Sequence, residues 1–251
     1  MYFLIVTALK SRSEYVFNKF GLPGSLNFGN FAEAFHGKLK FITWFINSIT
    51  ITASSVLITL VISFIAAFAL TFFNFKGKNL LFNVGISLMV IPPIVIIVPL
   101  FSVLNSVSLL NNLFGVIAIY TGLMVPFSFY LLKSFFSTIP KDIIEASIID
   151  GCGVKDIMVR IILPLSKSSL VTLTVVNAIW AWNEFLISLV FLQKDTLRTV
   201  MTGLLVFKSR YDLDIPIQMA GMFVAIVPML IIYIVGLRYF IRGMLAGAVK
   251  G

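Results

Sequence analysis

Few residues in this chain could do bond chemistry. Its 251 residues include one histidine, His36, one cysteine, Cys152, and ten acids. His36 stands alone in a polar stretch and reads as no metal ligand. Cys152 has no disulfide partner and reads as a small filler in a turn. No G-x-x-x-x-G-K-[ST] loop occurs, so the chain itself does not bind ATP. Two groups of residues remain. Glu184 is the one ionisable residue deep in an apolar stretch, with Asn177, Trp182 and Asn183 nearby. A charge at the centre of a bilayer costs about 2.5–3.5 kcal/mol on insertion scales, so Glu184 must face protein or water. Two readings stay open. It lines a solute pathway, where aromatic faces and paired hydrogen-bonding groups suit sugars, or it makes a structural interhelical hydrogen bond. Asn177 falls near the same helix face, so the pair is expected to form one polar stripe. The second group runs from Glu145, Ala146 and Ser147 to Asp150 and Gly151.

The elements that must position these residues are apolar helices. Hydrophobic residues make up 59% of the chain and charged ones 12%, against about 25% charged in an ordinary soluble domain. That excludes a soluble enzyme, a disordered scaffold and a nucleic-acid-binding domain together. The formal net charge of +9 reads instead as contact with anionic lipid. A lipid span needs about 20 mostly apolar residues. Four stretches qualify: Asn47 to Phe73, Leu80 to Leu104, Leu113 to Phe136, and Leu170 to Leu192. A fifth runs from Pro216 to Phe240. Met1 to Leu9 is apolar but reaches only about 13 Å as a helix, and it reads as the outer end of an incomplete first helix. Pro92, Pro93, Pro99, Pro126 and Pro228 fall inside the spans and predict bends. Lys10 to Thr43 reads as a polar loop.

The long connection at residues 137–168 is a folded element. Ser137 to Pro164 reads as two short helices joined at Gly151 and Gly153. Thr138 is expected to cap the first helix, with Pro140 in its first turn. Asp142 and Glu145 lie near the positive end of its dipole. Val154, Ile157, Met158, Ile161 and Ile162 make one apolar stripe on the second. By periodicity alone this could equally be an amphipathic hairpin lying on headgroups.

The residue pattern goes further. Glu145-Ala146-Ser147, Gly151, Ile161 and Leu163-Pro164 match every spacing of the EAA motif, with Ser147 where the second alanine is usual. The chain thereby resembles the permeases of binding-protein-dependent ABC importers. Asn30-Phe31, Glu33-Ala34-Phe35, Trp44-Phe45, Asn47-Ser48, Trp182-Asn183-Glu184-Phe185 and the tail from Arg238 are similar to the carbohydrate-uptake branch, related to the maltose-transporter inner-membrane subunits. Arg238 replaces a usual glutamine.

The resemblance implies an all-α polytopic membrane protein: a six-helix permease core with its first helix incomplete, plus a cytoplasmic coupling hairpin. It implies one transmembrane domain over residues 1–251, with the coupling loop at 137–168 and a cytoplasmic tail at 241–251. The chain would be no enzyme and would need no cofactor of its own, since Mg-ATP would be held by partner ATPase subunits. Expected partners are a second permease, two ATPase subunits, an extracytoplasmic sugar-binding protein and membrane lipid, with no nucleic acid. Glu145, Ala146, Ser147, Asp150, Gly151, Ile161, Leu163 and Pro164 would serve ATPase coupling. In that role Ala146 and Ser147 allow close approach, while Ile157, Ile161 and Leu163 pack on the permease body. Gly247, Ala248, Val249, Lys250 and Gly251 would reach between the ATPase subunits, or else lie as a basic tail on lipid. The expected location is a bacterial cell membrane, with the N-terminal side and the C-terminus cytoplasmic. Charge does not orient the chain, because nine of the 19 basic residues fall on one side. Alternatives are an importer of a non-sugar solute, or a channel or secondary carrier. The last two tend to show repeats or several intramembrane charges.

Overall fold

The computed structural model describes residues 1–36, 41–204 and 214–248. All regular elements among them are helical: α1 (Tyr2–Ala8), α2 (Arg12–Phe17), α3 (Gly29–His36), α4 (Phe41–Phe72), α5 (Lys78–Leu88), α6 (Pro93–Ser106), α7 (Leu113–Phe136), α8 (Lys141–Ile149), α9 (Val154–Asp156), a π-helix (Ile157–Ile162), α10 (Leu163–Leu165), α11 (Lys167–Asn183), α12 (Leu186–Phe191) and α13 (Ile215–Ala248). A further helical turn covers residues 200–204. The chain forms two compact units. The first holds Met1–Thr52, Phe101–Val116 and Trp182–Ile232; the second holds Ala53–Leu100, Ile117–Ala181 and Tyr233–Gly251.

Among the described residues, three helices are long and apolar enough to cross a membrane: Phe41–Phe72, Leu113–Phe136 and Ile215–Gly236. The other two expected spans are broken. Leu80 to Leu104 is not one helix, because α5 and α6 meet at a bend of 103°. Pro92 and Pro93 stand there. The residue before a proline is pushed out of helical conformation, and Pro93 then opens α6, where its missing N–H costs nothing. Leu170 to Leu192 also fails as a continuous helix. It begins earlier, at Lys167, and stops at Asn183 before α12 resumes at Leu186. Pro99, Pro126 and Pro228 lie inside α6, α7 and α13.

The described residues of the stretch from Lys10 to Thr43, 10–36 and 41–43, are not all loop. They contain α2 and α3, and α4 has already begun at Phe41. His36 is the last residue of α3 and is not in a loop. Ser11 caps α2, its Oγ accepting the Glu14 N–H at 3.2 Å. Asn30 donates from Nδ2 to the carbonyls of Ala8, at 2.8 Å, and Lys10, at 2.7 Å, holding α3 against the end of α1. In the first unit Ala34, Phe41, Trp44, Val200, Leu204, Ile217 and Ala225 form the core.

In the second unit Phe64, Ala67 and Phe68 of α4 pack with Leu132 and Phe136 of α7, and with Ile139, Ile157, Ile162 and Leu173. Buried hydroxyls bridge the same two helices. Ser55 Oγ donates to the Ile117 carbonyl and Ser63 Oγ to that of Val125, each at 3.5 Å. Small hydroxyl residues let membrane helices approach closely, which replaces the hydrophobic drive that lipid removes.

Candidate coupling hairpin and candidate pathway segment

The hairpin belongs wholly to the second unit. Helix α8 starts at Lys141, with Pro140 at the N-cap position rather than in its first turn and no side-chain cap. Thr138 does not cap it: its Oγ1 donates back to the Phe135 carbonyl at 2.7 Å, closing the end of α7 instead. The turn after α8 is made by backbone. Gly151 takes φ +80°, and the N–H groups of Asp150, Gly151 and Cys152 return to the carbonyls of Ala146, Ile148 and Ser147 at 2.9, 3.0 and 2.9 Å. A Cβ at Gly151 would meet nothing within 4 Å. Glycine is therefore required by conformation and not by space.

The return limb is wound more loosely than its apolar spacing implies. Ile157–Ile162 is a π-helix, whose i→i+5 hydrogen bonds widen the turn and bring residues five apart nearer to one face than an α-helix would. Ile157 and Ile162 consequently both point into the core, with Ile162 fully buried at 0% exposure. Val154 drops off the expected stripe and is exposed, whereas Met158 and Ile161 are partly buried against the core. Leu163 is 41% exposed and does not pack on the body as expected. Pro164 sits in the first turn of α10, and the chain bends by 73° between Val154–Leu165 and Lys167–Asn183. At that corner Ser166 is buried, its Oγ donating to the Ile162 carbonyl at 2.6 Å.

The EAA residues separate by face. Glu145, Ala146, Asp150 and Gly151 are exposed. Ser147 is not beside them: it is buried, and its Oγ donates to the Ile144 carbonyl at 2.7 Å. Its small size serves packing inside the unit rather than approach from outside. Ile148 and Ile149 complete the outer face, Ile149 being 85% exposed. The outer surface thus combines two carboxylates with two bare aliphatics. The inner surface is anchored by Ile139, Ile157 and Ile162. The Asp156–Arg160 ion pair, at 3.2 Å, is solvent-facing and adds little.

The candidate pathway residues do not form one stripe. Asn177 is buried in the second unit and donates from Nδ2 to Ser128 Oγ at 2.9 Å. Trp182 belongs to the first unit, where its indole N–H donates to the Ala225 carbonyl at 3.0 Å and its ring meets Phe45 edge-on. At 4% exposure it is a buried anchor. Glu184 occupies the break between α11 and α12. Its Oε1 accepts the Ile187 N–H at 2.8 Å and its Oε2 the Ser188 N–H at 3.1 Å. The carboxylate supplies the first turn of α12 with acceptors its free N–H groups lack. These two bonds are local to the restart of a broken helix. Asn183 is exposed. Of the tail, Gly247 and Ala248 end α13, while Val249, Lys250 and Gly251 lie outside the described residues.

Residues 194–204 carry a feature that local reading misses. Three side chains on one face of α4 bind this stretch. The Trp44 indole N–H donates to the Asp195 carbonyl at 2.6 Å. Asn47 Nδ2 donates to the carbonyls of Thr196 and Arg198 at 2.9 and 3.0 Å. Ser48 Oγ accepts the Val200 N–H at 2.9 Å. The i, i+3, i+4 spacing of Trp44, Asn47 and Ser48 is the visible signal; their target is not local.

These observations define a multi-pass helical membrane protein with a glycine-turned hairpin, buried on one face, between two of its helices. Residues 59–242 match the family model for the binding-protein-dependent transport system inner membrane component, and the chain belongs to that family. It is 38% identical, over 99% of its length and 90% of the relative's, to the putative ABC transporter permease protein ORF2 of Caldicellulosiruptor sp. (strain Rt8B.4). It is 31% identical to the melibiose/raffinose/stachyose import permease protein MelC of Bacillus subtilis (strain 168), covering 100% of this chain and 90% of that one. Its fold is similar to a chain in the crystal structure of a bacterial ABC transporter involved in the import of the acidic polysaccharide alginate. There the TM-score is 0.83 at 23% identity, over 95% of this chain and 89% of the other.

Proposed function

We propose that this chain is one membrane-spanning permease subunit of an ATP-driven sugar importer. In this reading it forms half of a translocation pathway with a second, similar permease. Two ATPase subunits hold Mg-ATP and perform the hydrolysis, and an extracytoplasmic binding protein delivers the sugar. The chain itself catalyses no bond change. The single observation that carries the reading is the hairpin. Its inner face is fixed in the second unit by Ile139, Ile157 and Ile162, and its outer face presents Glu145, Ala146, Asp150, Ile148 and Ile149. A lever must be held on one side and available on the other, and a buried inner face with an exposed outer one supports that reading.

The hairpin then lies on the cytoplasmic side with the C-terminus, and Gly247 to Gly251 extend toward the ATPase subunits. The sugar class is supported by relatives such as the melibiose/raffinose/stachyose permease. Vesicles carrying this chain with its partner permease and ATPase subunits provide the test. Uptake of labelled raffinose or another oligosaccharide is expected only with both internal ATP and added binding protein. Uptake driven by an ion gradient without either would favour a secondary carrier and overturn the reading.

A further inference from the structure

The first unit contains a cavity of about 480 Å³, bordered in part by Trp182, Asn183, Phe185, Met201, Leu204 and Met222. Part of its wall comes from just before α12, at Trp182, Asn183 and Phe185. Another part comes from just after the next turn, at Met201 and Leu204. Between these two wall segments runs a continuous polar chain. Glu184 accepts the N–H groups that open α12. Ser188 Oγ donates back to the Phe185 carbonyl at 3.0 Å and receives Thr199 Oγ1 at 3.3 Å. Thr199 and Thr202 exchange hydrogen bonds, with the Thr199 N–H reaching Thr202 Oγ1 at 3.1 Å. Ser188, Thr199 and Thr202 are all buried. The far end of α12 is held as well. Asn111, at φ +53°, accepts the Gln193 and Lys194 N–H groups on Oδ1 at 2.7 and 3.1 Å, and its own N–H donates to the Phe191 carbonyl at 3.0 Å.

We infer that Glu184 and Asn111 are positioning residues that clamp α12 at its two ends, and that the chain Glu184–Ser188–Thr199–Thr202 sets the shape of the cavity wall. Glu184 on this account contacts no solute; both its oxygens serve the backbone of α12. A short helix without such clamps is marginal on its own, so its register depends on them. Methionine-rich walls adapt to small shifts of their neighbours, so a loosened α12 changes the cavity before it unfolds the subunit. The inference goes beyond sugar import and does not depend on it.

The test uses the assembled transporter in membranes, with Cys152→Ser as background and Met222→Cys as reporter in the cavity. N-ethylmaleimide labelling of that cysteine is the readout. A second reporter, Val154→Cys on the exposed hairpin, monitors the rest of the fold. Glu184→Ala is expected to change the Met222→Cys labelling rate at least fivefold, and Asn111→Ala to change it in the same direction. The double variant is expected to exceed the larger single effect by less than twofold, because both clamps act through one helix. Glu184→Gln, which keeps one acceptor oxygen, should fall between. Labelling at Val154→Cys should stay within twofold throughout. An unchanged rate at Met222→Cys overturns the inference, and so do equal changes at both reporters or multiplied effects in the double variant. None of these outcomes requires transport, so they are separable from a failure of sugar uptake.

Discussion

Replacing Gly151 gives the sharpest test of the lever. The residue sits at φ +80°, a region that costs an L-residue about 1–2 kcal/mol. A Cβ added there would meet no packed neighbour within 4 Å, so no tertiary clash is added and the whole effect is the local backbone penalty. Gly151→Ala should open the turn by that amount, a factor of about 5–30 in the local equilibrium. Gly151→Asn should cost less, because asparagine visits the left-handed region more readily. Gly151→Asp should follow asparagine in strain while adding a charge beside Asp150. The first assay is amide hydrogen exchange at Cys152 and Ile157, whose N–H groups bond the carbonyls of Ser147 and Gly153 at 2.9 and 3.0 Å. Protection should fall in the order glycine, asparagine, alanine. The second is binding-protein-stimulated ATPase activity and uptake in the assembled transporter, which should fall in the same order with membrane insertion unchanged; Gly151→Asp should abolish uptake. Equal protection in the glycine and alanine forms would refute the conformational argument. Loosened exchange with undiminished coupling would refute the lever.

Other perturbations follow from the packing of the two cores and the contacts around them. Ile162→Ala empties a fully buried site in the second core and should cost about 2–5 kcal/mol, whereas Leu163→Ala, next in sequence but exposed, should cost under about 0.5 kcal/mol; thermal unfolding of the purified subunit reads both. Gly203→Ala would bring a Cβ to 2.3 Å from the Trp44 ring, which the Asp195 carbonyl holds in place, so overpacking by about 1–3 kcal/mol is expected in the same assay. Asn30→Ala removes two hydrogen bonds that hold α3 to the end of α1, and should speed limited proteolysis between residues 9 and 29. Burial raises the carboxyl pKa of Asp214, opposed by the Arg12 charge and assisted by that of Glu33. Its folded pKa then exceeds the unfolded value, so its stabilising contribution is complete below the ordinary carboxylate range and is lost as pH rises through the raised value. Asp214→Asn should flatten that part of the stability–pH curve, and an unchanged curve would contradict the assignment.

How much of this was readable in the residues depended on how local the cause was. Membrane class follows from composition, since 12% charged residues leave little else for lipid-length apolar helices to be. The hairpin is legible because its turn needs a glycine and its limbs follow within a few residues. Its π-helical limb is not, because a stripe of isoleucines is compatible with α-helical winding or with the wider π-helical turn until the core selects one, and here burial of both Ile157 and Ile162 accompanies the wider winding. Ser147 is placed inward for the same reason: motif spacing says which residues go together, while the tertiary core decides which of them face it. Glu184 shows the limit most clearly. Its position in an apolar run said only that the charge must be satisfied. That two backbone N–H groups of a helix restarting after a break are its partners requires knowing that the span is broken. Trp44, Asn47 and Ser48 lie beyond any local rule, because their partners stand 151, 149 and 152 residues away for Asp195, Thr196 and Val200. Side chains that satisfy distant backbone leave a helix-face spacing at one end and no mark at the other. Stretches such as residues 194–204 are therefore where a sequence reading of a membrane permease should be expected to fall silent, and where double-mutant cycles against α4 would recover the missing contacts.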